Sequence, residues 1–296
     1  MLTEKQFDVL SLMAEHLDSS ISQREISKLT GYSLGTINSI ITELEEDGFV
    51  AQKKIQPKAL QELEAYRVNR VVFIAAGVGT RMLPITLNTP KPLVRVKGKR
   101  IIDTMIDAAI AAGIQEIYIV RGYLGEQFDQ LLYKYPFIKF IENPAYNESN
   151  NIVSALCAKE FLQNSYICEA DIFLKNPKLF RKYQYKSNYC GVSCETTDDW
   201  CLSESKGIIT GVTVGGTNGY RMLGISYWTK EDGIKLASCL EKAYRMPGGK
   251  ERYWDSVPLT IFADEFKLGI RKCSFDDFDE IDTFAELKKL DNVYGL

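Results

Sequence analysis

Histidine is almost missing from this chain of 296 residues: His16 is the only one. It lies far in sequence from the glycine-rich stretch near residue 77, so a histidine general base, a Ser-His-Asp relay or a histidine-ligated metal is excluded from residues 70–296. Chemistry there falls to carboxylates, lysine, arginine and metal. Paired cysteine motifs are missing as well. The seven cysteines (157, 168, 190, 194, 201, 239 and 273) are odd in number and contain no Cys-x-x-Cys. Their mostly apolar surroundings predict reduced core thiols rather than a disulfide frame or a zinc site. No apolar run approaches the ~18 residues needed to cross a bilayer, and the N-terminus carries charge where a signal peptide has an apolar core. The expectation is a soluble, cytoplasmic protein with no membrane insertion. Two familiar phosphate loops are absent too. No Gly-x-x-x-x-Gly-Lys-Ser/Thr occurs, and Met82 stands where a dinucleotide loop needs its third glycine.

What the chain does have is a phosphate loop of another kind. Residues 71–76 are short, apolar and β-rich and end at glycine, which reads as a buried strand emptying into a loop. Ala75 and Ala76 lead into Gly77 and Gly79, which let backbone N–H groups approach phosphate oxygens closely, with Thr80 beside them. Arg81 offers a planar charged fork for outer phosphates. Lys91, held between Pro90 and Pro92, is a point charge on a stiffened backbone.

The set Gly77, Gly79, Thr80, Arg81, Pro84, Thr86, then Pro90, Lys91, Pro92 and Leu93, resembles the signature of the nucleotidyltransferases that make sugar and alditol nucleotides. Within that superfamily the short bacterial choline-phosphate cytidylyltransferases are the most similar, over roughly residues 70–292. The resemblance implies transfer of CMP from CTP to phosphocholine with release of pyrophosphate, Arg81 on the β and γ phosphates, and Lys91 at the α phosphate.

Strand and helix patterns alternate at 71–76, 101–112, 116–120, 125–135, 138–141, 151–162 and 165–170, which predicts a doubly wound, mainly parallel, Rossmann-like α/β sheet. Further strands are expected at 188–195, 208–214, 221–228 and 266–273. In such sheets ligands lie outside the carboxyl ends of strands. Asp171 ends one strand and Asp282 follows another, so the two carboxylates could hold one Mg²⁺ against triphosphate oxygens. The plainer alternatives are a turn residue for Asp171 and a helix N-cap for Asp282. Together they resemble the family's metal pair, with Glu169 as a supporting group.

The segment from Asn143 to Asn151 resembles the loop that accepts cytosine in the choline-phosphate enzymes, which implies nucleotide contacts from Asn143, Asn150 and Asn151. Asn150 as a helix cap in a polar loop is the alternative. Segments around Trp200 and around Tyr253, Trp254 and Asp255 resemble those supplying the choline pocket, where a quaternary ammonium wants aromatic faces and carboxylates. Asp279 stands where the choline enzyme has tyrosine. A carboxylate there favours a primary ammonium, as in phosphoethanolamine or 2-aminoethylphosphonate, and a sugar or alditol phosphate is a further alternative.

Residues 1–58 read as a separate winged helix-turn-helix module, joined by a linker helix at 59–69 to a nucleotidyltransferase domain at 70–296. Ser33 caps the third helix, Asp47-Gly48 ends it, and residues 49–54 are expected to form a strand. The functional reading is DNA contact through Thr36, Asn38, Ser39 and Thr42, with Lys53, Lys54 and Lys58 on phosphates. Residues 1–68 nevertheless carry seven basic against eleven acidic side chains, a net of −4. A freestanding DNA-binding domain normally has a basic footprint. DNA contact, packing and homodimer formation therefore stay open for this module, as does a nucleotide-sensing transcriptional regulator for the whole chain.

Overall fold

Val71 and Phe73 face one side of a strand and Val72 the other, and all three are completely buried. A strand buried on both sides belongs in the middle of a sheet with helices over each face. A computed structural model, describing residues 1–17 and 21–295, shows that sheet.

The described residues form two compact units. The first takes residues 1–67 together with Tyr183–Tyr185. Helix α1 (Glu4–Ala14) starts at a Thr3 capping box, α2 (Gln23–Thr30) at a Ser22 capping box, and α3 (Leu34–Glu46) at Ser33, whose hydroxyl accepts from Thr36 N. The single strand expected at 49–54 is instead a hairpin of β1 (Val50–Ala51) and β2 (Lys54–Ile55). Gln52 and Lys53 reverse the chain there with φ of 51° and 62°, a two-residue turn whose twist matches paired strands. Helix α4 (Pro57–Leu63) contributes Ala59 and Leu63 to a core with Phe7, Leu10, Ile26, Ile37 and Leu44. Tyr185 packs in the same unit, 5.4 Å from the Phe7 ring and stacked 5.5 Å from Tyr66.

The second unit holds the large sheet. Strand β3 (Arg70–Ile74) is followed by the hairpin β4 (Arg95–Val96) and β5 (Lys99–Arg100), helix α5 (Ile101–Ala111), β6 (Glu116–Arg121) and β7 (Lys139–Glu142). Next come α6 (Ile152–Cys157), β8 (Ser165–Glu169) and β9 (Ile172–Leu174), then two long strands, β10 (Asn188–Ser205) and β11 (Ile208–Trp228). Helix α7 (Lys230–Arg245), β12 (Gly269–Cys273), β13 (Phe278–Glu280) and α8 (Phe284–Leu290) complete it. The sheet order is β10-β12-β11-β8-β3-β6-β7, with β8, β3, β6 and β7 parallel and β11 antiparallel to β8. Phe73, Ile119 and Tyr166 lie in the core on one face, and Val72, Val120 and Ile167 in the core on the other. Residues Gly125–Tyr133 are 3₁₀ rather than the expected α-helix, and the helix expected at 151–162 breaks after Cys157 into a 3₁₀ turn, Lys159–Phe161.

The strands expected separately at 188–195, 208–214 and 221–228 are one ribbon. Strands β10 and β11 pair from Asn188↔Tyr227 to Ser205↔Ile208, with bulges around Thr197–Trp200. Leu202 pairs with Val212 and again with Tyr220, so the distal ribbon folds back on its own base. Gly219 makes this possible, because a Cβ there would stand 2.5 Å from Cys201 Sγ. No helix among the described residues is long and apolar enough to cross a membrane.

Candidate active site

Strands β3 and β8 run parallel and adjacent, so their carboxyl ends open on the same edge of the sheet. Ile74 leads into Ala75, Ala76 and Gly77, and Glu169 leads through Ala170 to Asp171, all lining one cavity of about 500 Å³. The phosphate loop beyond is held by its own contacts. Gly79 adopts φ +67°, and a Cβ there would come within 3.2 Å of both Lys91 Cβ and Thr86 Cγ2. Thr86, 1% exposed, donates from Oγ1 to Gly79 O at 2.9 Å. A loop pinned this closely brings Lys91 alongside Gly79 although 12 residues separate them in sequence.

Lys91 is the hub. Its Nζ donates to Asp171 Oδ2 at 2.8 Å and to Asp282 Oδ1 at 2.9 Å, with the side chain only 11% exposed. Burial opposes its charge, but the two carboxylates outweigh burial and hold the ammonium above the ordinary lysine value. Asp282 is half-buried, and although burial opposes its charge, Lys91, Arg81 and Arg221 hold its carboxyl below the usual range. Arg81 Nη2 reaches Asp282 Oδ1 at 2.9 Å while the guanidinium stays mostly exposed at the cavity mouth. The cap of α8 is Thr283, not Asp282, so the Asp282 carboxylate is not spent on a helix end.

The donor set suits a magnesium ion. Asp171 Oδ1 is buried with no hydrogen-bond partner, an atom that in a low-dielectric pocket calls for a cation. Magnesium commonly takes one or two protein carboxylates and completes its shell with phosphate oxygens and water. Among the described residues no group of three or more His, Cys, Asp or Glu side chains is arranged to hold a metal.

The rest of the cavity wall is acidic and aromatic. Trp200 and Tyr253 meet edge to face at 5.8 Å between ring centroids. Asp255, 4% exposed, accepts from Tyr189 Oη at 2.9 Å, and burial pushes its carboxyl up to about 7. Burial, with Asp171 and Asp255 nearby, drives Glu169 far above the ordinary value. Glu280 is raised to about 8 by burial and by Asp171, against the pull of Arg221.

Three residues expected in the site lie elsewhere. Trp254 is 2% exposed and belongs to the core, stacked 6.2 Å from Tyr189 and edge-on to Trp228; only its neighbours Tyr253 and Asp255 reach the cavity. Asp279 sits in the middle of β13, where strand alternation turns Phe278 and Glu280 one way and Asp279 the other, into an ion pair with Lys175 at 3.0 Å. Thr80 opens a 3₁₀ turn with its side chain exposed outside the cavity lining.

The asparagines line the cavity but are largely engaged within the protein. Asn143 donates to Ser154 Oγ and accepts from Ala145 N; Asn150 donates to Glu251 O and accepts from Asn151 N. Asn151 accepts from Trp254 N at 2.9 Å. Asn150 and Asn151 thus fasten the segment that carries Tyr253 and Asp255, and Asn151 rather than Asn150 stands at the start of α6. Residues that sequence reasoning left out are Glu280, Tyr146 and Met222 in the lining, and Arg221 behind it. A charged residue alternating with Phe278 on a short strand was the available signal for Glu280; nothing local marked Met222.

A nucleotidyl transferase family model matches residues 70–199, and a winged helix-turn-helix DNA-binding model matches residues 2–51. The chain is 37% identical over 227 residues to the 2-aminoethylphosphonate cytidylyltransferase of Lancefieldella rimae, covering 75% of this chain and 92% of that protein. It is 34% identical over 227 residues to the choline-phosphate cytidylyltransferase of Streptococcus pneumoniae, covering 76% and 97%. Among solved structures, the CTP:phosphocholine cytidylyltransferase of Streptococcus pneumoniae superposes with a TM-score of 0.70 at 33% identity, over 77% of this chain and 99% of that one. The inositol-1-phosphate CTP transferase of T. maritima shares the fold alone, with a TM-score of 0.61 at 15% identity over 78% of this chain and 94% of that one.

Proposed function

Because this chain belongs to the nucleotidyl transferase family, among its cytidylyltransferases, we propose that it transfers CMP from CTP to phosphocholine, releasing pyrophosphate. The observation that carries the acceptor assignment is the presence of the Trp200 and Tyr253 rings, in edge-to-face contact, and the buried Asp255 carboxyl in the lining of the same cavity as the phosphate loop. A trimethylammonium head has no N–H to donate and is held by ring faces and nearby negative charge.

In this reading an acceptor phosphate oxygen attacks the α phosphorus of CTP, the bond from that phosphorus to the β-phosphate oxygen breaks, and pyrophosphate departs. The nucleophile is already anionic, so no general base is needed and the lack of histidine costs nothing. Lys91 neutralises the α phosphate and the incoming oxygen. Arg81, exposed at the mouth, takes the leaving phosphates. Ala75, Ala76, Gly77 and Gly79 supply backbone around the nucleotide. Asp171 and Asp282 would hold Mg²⁺, whose charge supports the triphosphate and the departing pyrophosphate.

A second acceptor, 2-aminoethylphosphonate, is favoured by the relative in Lancefieldella rimae and by the number of carboxyl groups lining the cavity. Pyrophosphate release with Mg²⁺ and CTP, run against phosphocholine, phosphoethanolamine, 2-aminoethylphosphonate, ribitol-5-phosphate and glucose-1-phosphate, separates these. Turnover confined to phosphocholine supports the leading reading, turnover confined to the phosphonate replaces it with the second, and turnover with a sugar or alditol phosphate overturns both.

For residues 1–58 the family-model match favours DNA contact through the exposed Asn38, Ser39 and Thr42 of α3. Gel shifts with and without CTP test it; no shift at low salt removes it.

A further inference from the structure

Arg221 belongs to no motif, yet it ties together two parts of the site that are far apart in sequence. It lies on β11, opposite Val192 in one pairing and Cys201 in another, where the ribbon folds back. Its Nη2 donates to Glu280 Oε2 at 2.5 Å, and its Nε donates to Asp199 Oδ2 at 3.2 Å. Glu280 lies two residues before Asp282 on the chain. Asp199 in turn accepts from Trp200 N through Oδ1 at 2.7 Å. A continuous run of bonds therefore links Glu280, Arg221, Asp199 and Trp200.

We propose that Arg221 is a positioning residue that fixes the corner of the ribbon, and with it Trp200, against the carboxylate side of the cavity, so setting the acceptor subsite. The idea rests on the cytidylyltransferase reading above. A bulged ribbon corner has few ladder bonds of its own to define where its side chains point. A planar guanidinium with donors on two edges can grip two carboxylates at once, which lysine with its single ammonium does less well. Arg221 is about a quarter exposed and Glu280 about an eighth, so the grip is shielded enough to matter and removal of the arginine leaves Glu280 facing like charge.

The test uses the full-length protein and the variants R221Q, R221K and D199N. Acrylamide quenching of tryptophan emission reads the corner without any substrate, because Trp228 and Trp254 are 0% and 2% exposed and quenching reports on Trp200. In R221Q and D199N quenching is expected to rise, and the acceptor KM to rise about tenfold while the CTP KM stays within about twofold. R221K falls between wild type and R221Q in both. D199N cuts only the ribbon side of the grip, so it keeps the test sound should R221Q fold poorly. Unchanged quenching and unchanged acceptor KM in D199N overturn the proposal. If the wild-type protein transfers CMP to no cationic acceptor, the functional reading fails instead, and quenching alone still decides the role of Arg221.

Discussion

Lys91 Nζ stands 2.9 Å from Asp282 Oδ1, a contact made across 191 residues of chain. Asp282 is one of the two carboxylates that would hold Mg²⁺ on the proposed reading, and Lys91 keeps it placed and screened before substrate arrives. Lys91→Met is expected to lower kcat by at least about 100-fold, the scale of one preorganised charge contact, as read by pyrophosphate release at saturating CTP. A variant with near wild-type kcat would contradict the role given to Lys91.

Trp200→Ala removes one of the two rings at the acceptor end. Loss of a desolvated cation–π contact is worth about 1–2 kcal/mol, so the phosphocholine KM is expected to rise roughly tenfold with the CTP KM unchanged. Equal rises for both substrates would show that Trp200 supports the fold rather than the acceptor.

Asp255 governs a pH dependence. Burial raises its carboxyl from the ordinary 3.8 to about 7, so the folded protein favours the protonated form. A group raised on folding contributes stability that is present below its unfolded value and is lost as pH rises through the folded one. Between pH 4 and pH 8 the wild-type Tm is therefore expected to fall relative to that of Asp255→Asn. The ionised form attracts a cationic acceptor, so acceptor affinity should improve as pH rises through about 7 in the wild type and improve less in the variant, where Glu280 and Glu169 remain. Parallel Tm curves for the two proteins would remove Asp255 as the cause.

Gly79→Ala combines a left-handed backbone, φ +67°, with a Cβ forced to within 3.2 Å of Lys91 and Thr86. Strain of about 1–3 kcal/mol is expected, relieved by displacing the loop. The CTP KM should rise and the apo Tm fall, measured by initial rates and by thermal unfolding. A variant with both values intact would mean that the loop has room the structure does not show.

The parallel half of the sheet was readable because its signals are local. Residues 71–76 are apolar on both faces, and in the first unit the Ser33 helix cap is likewise a short-range hydrogen bond written in consecutive residues, whereas at α8 the cap fell on Thr283 and not on Asp282. Asp171 was placed from the end of a strand, and the glycines of the phosphate loop from their spacing to Arg81 and Lys91. The antiparallel half hid its form, since bulges near Thr197–Trp200 and the return pairing of Leu202 with Tyr220 break the alternation from which strands are read. Trp254 and Asp279 were misplaced for a related reason: a segment can be assigned to a site before the side on which each residue falls is known. In Tyr253-Trp254-Asp255 the middle residue goes to the core, and in Phe278-Asp279-Glu280 the middle residue goes to the surface. Arg221 had no signal at all, because its partners lie 22 and 59 residues away.

The folded-back ribbon touches the cavity with only Asp199, Trp200, Val214 and Met222, plus the neighbouring Gly224, while the parallel strands and their loops furnish the phosphate end. On the proposed reading, the Trp200 share of acceptor recognition is thereby written on a stretch of chain that can drift, lengthen or be exchanged without disturbing the machinery that handles the triphosphate, while Tyr253 and Asp255 come from a separate segment. Evolution toward a new small acceptor has a short, separable text to edit, and an engineer wishing to change the product would begin with the ribbon corner and leave the glycine loop alone.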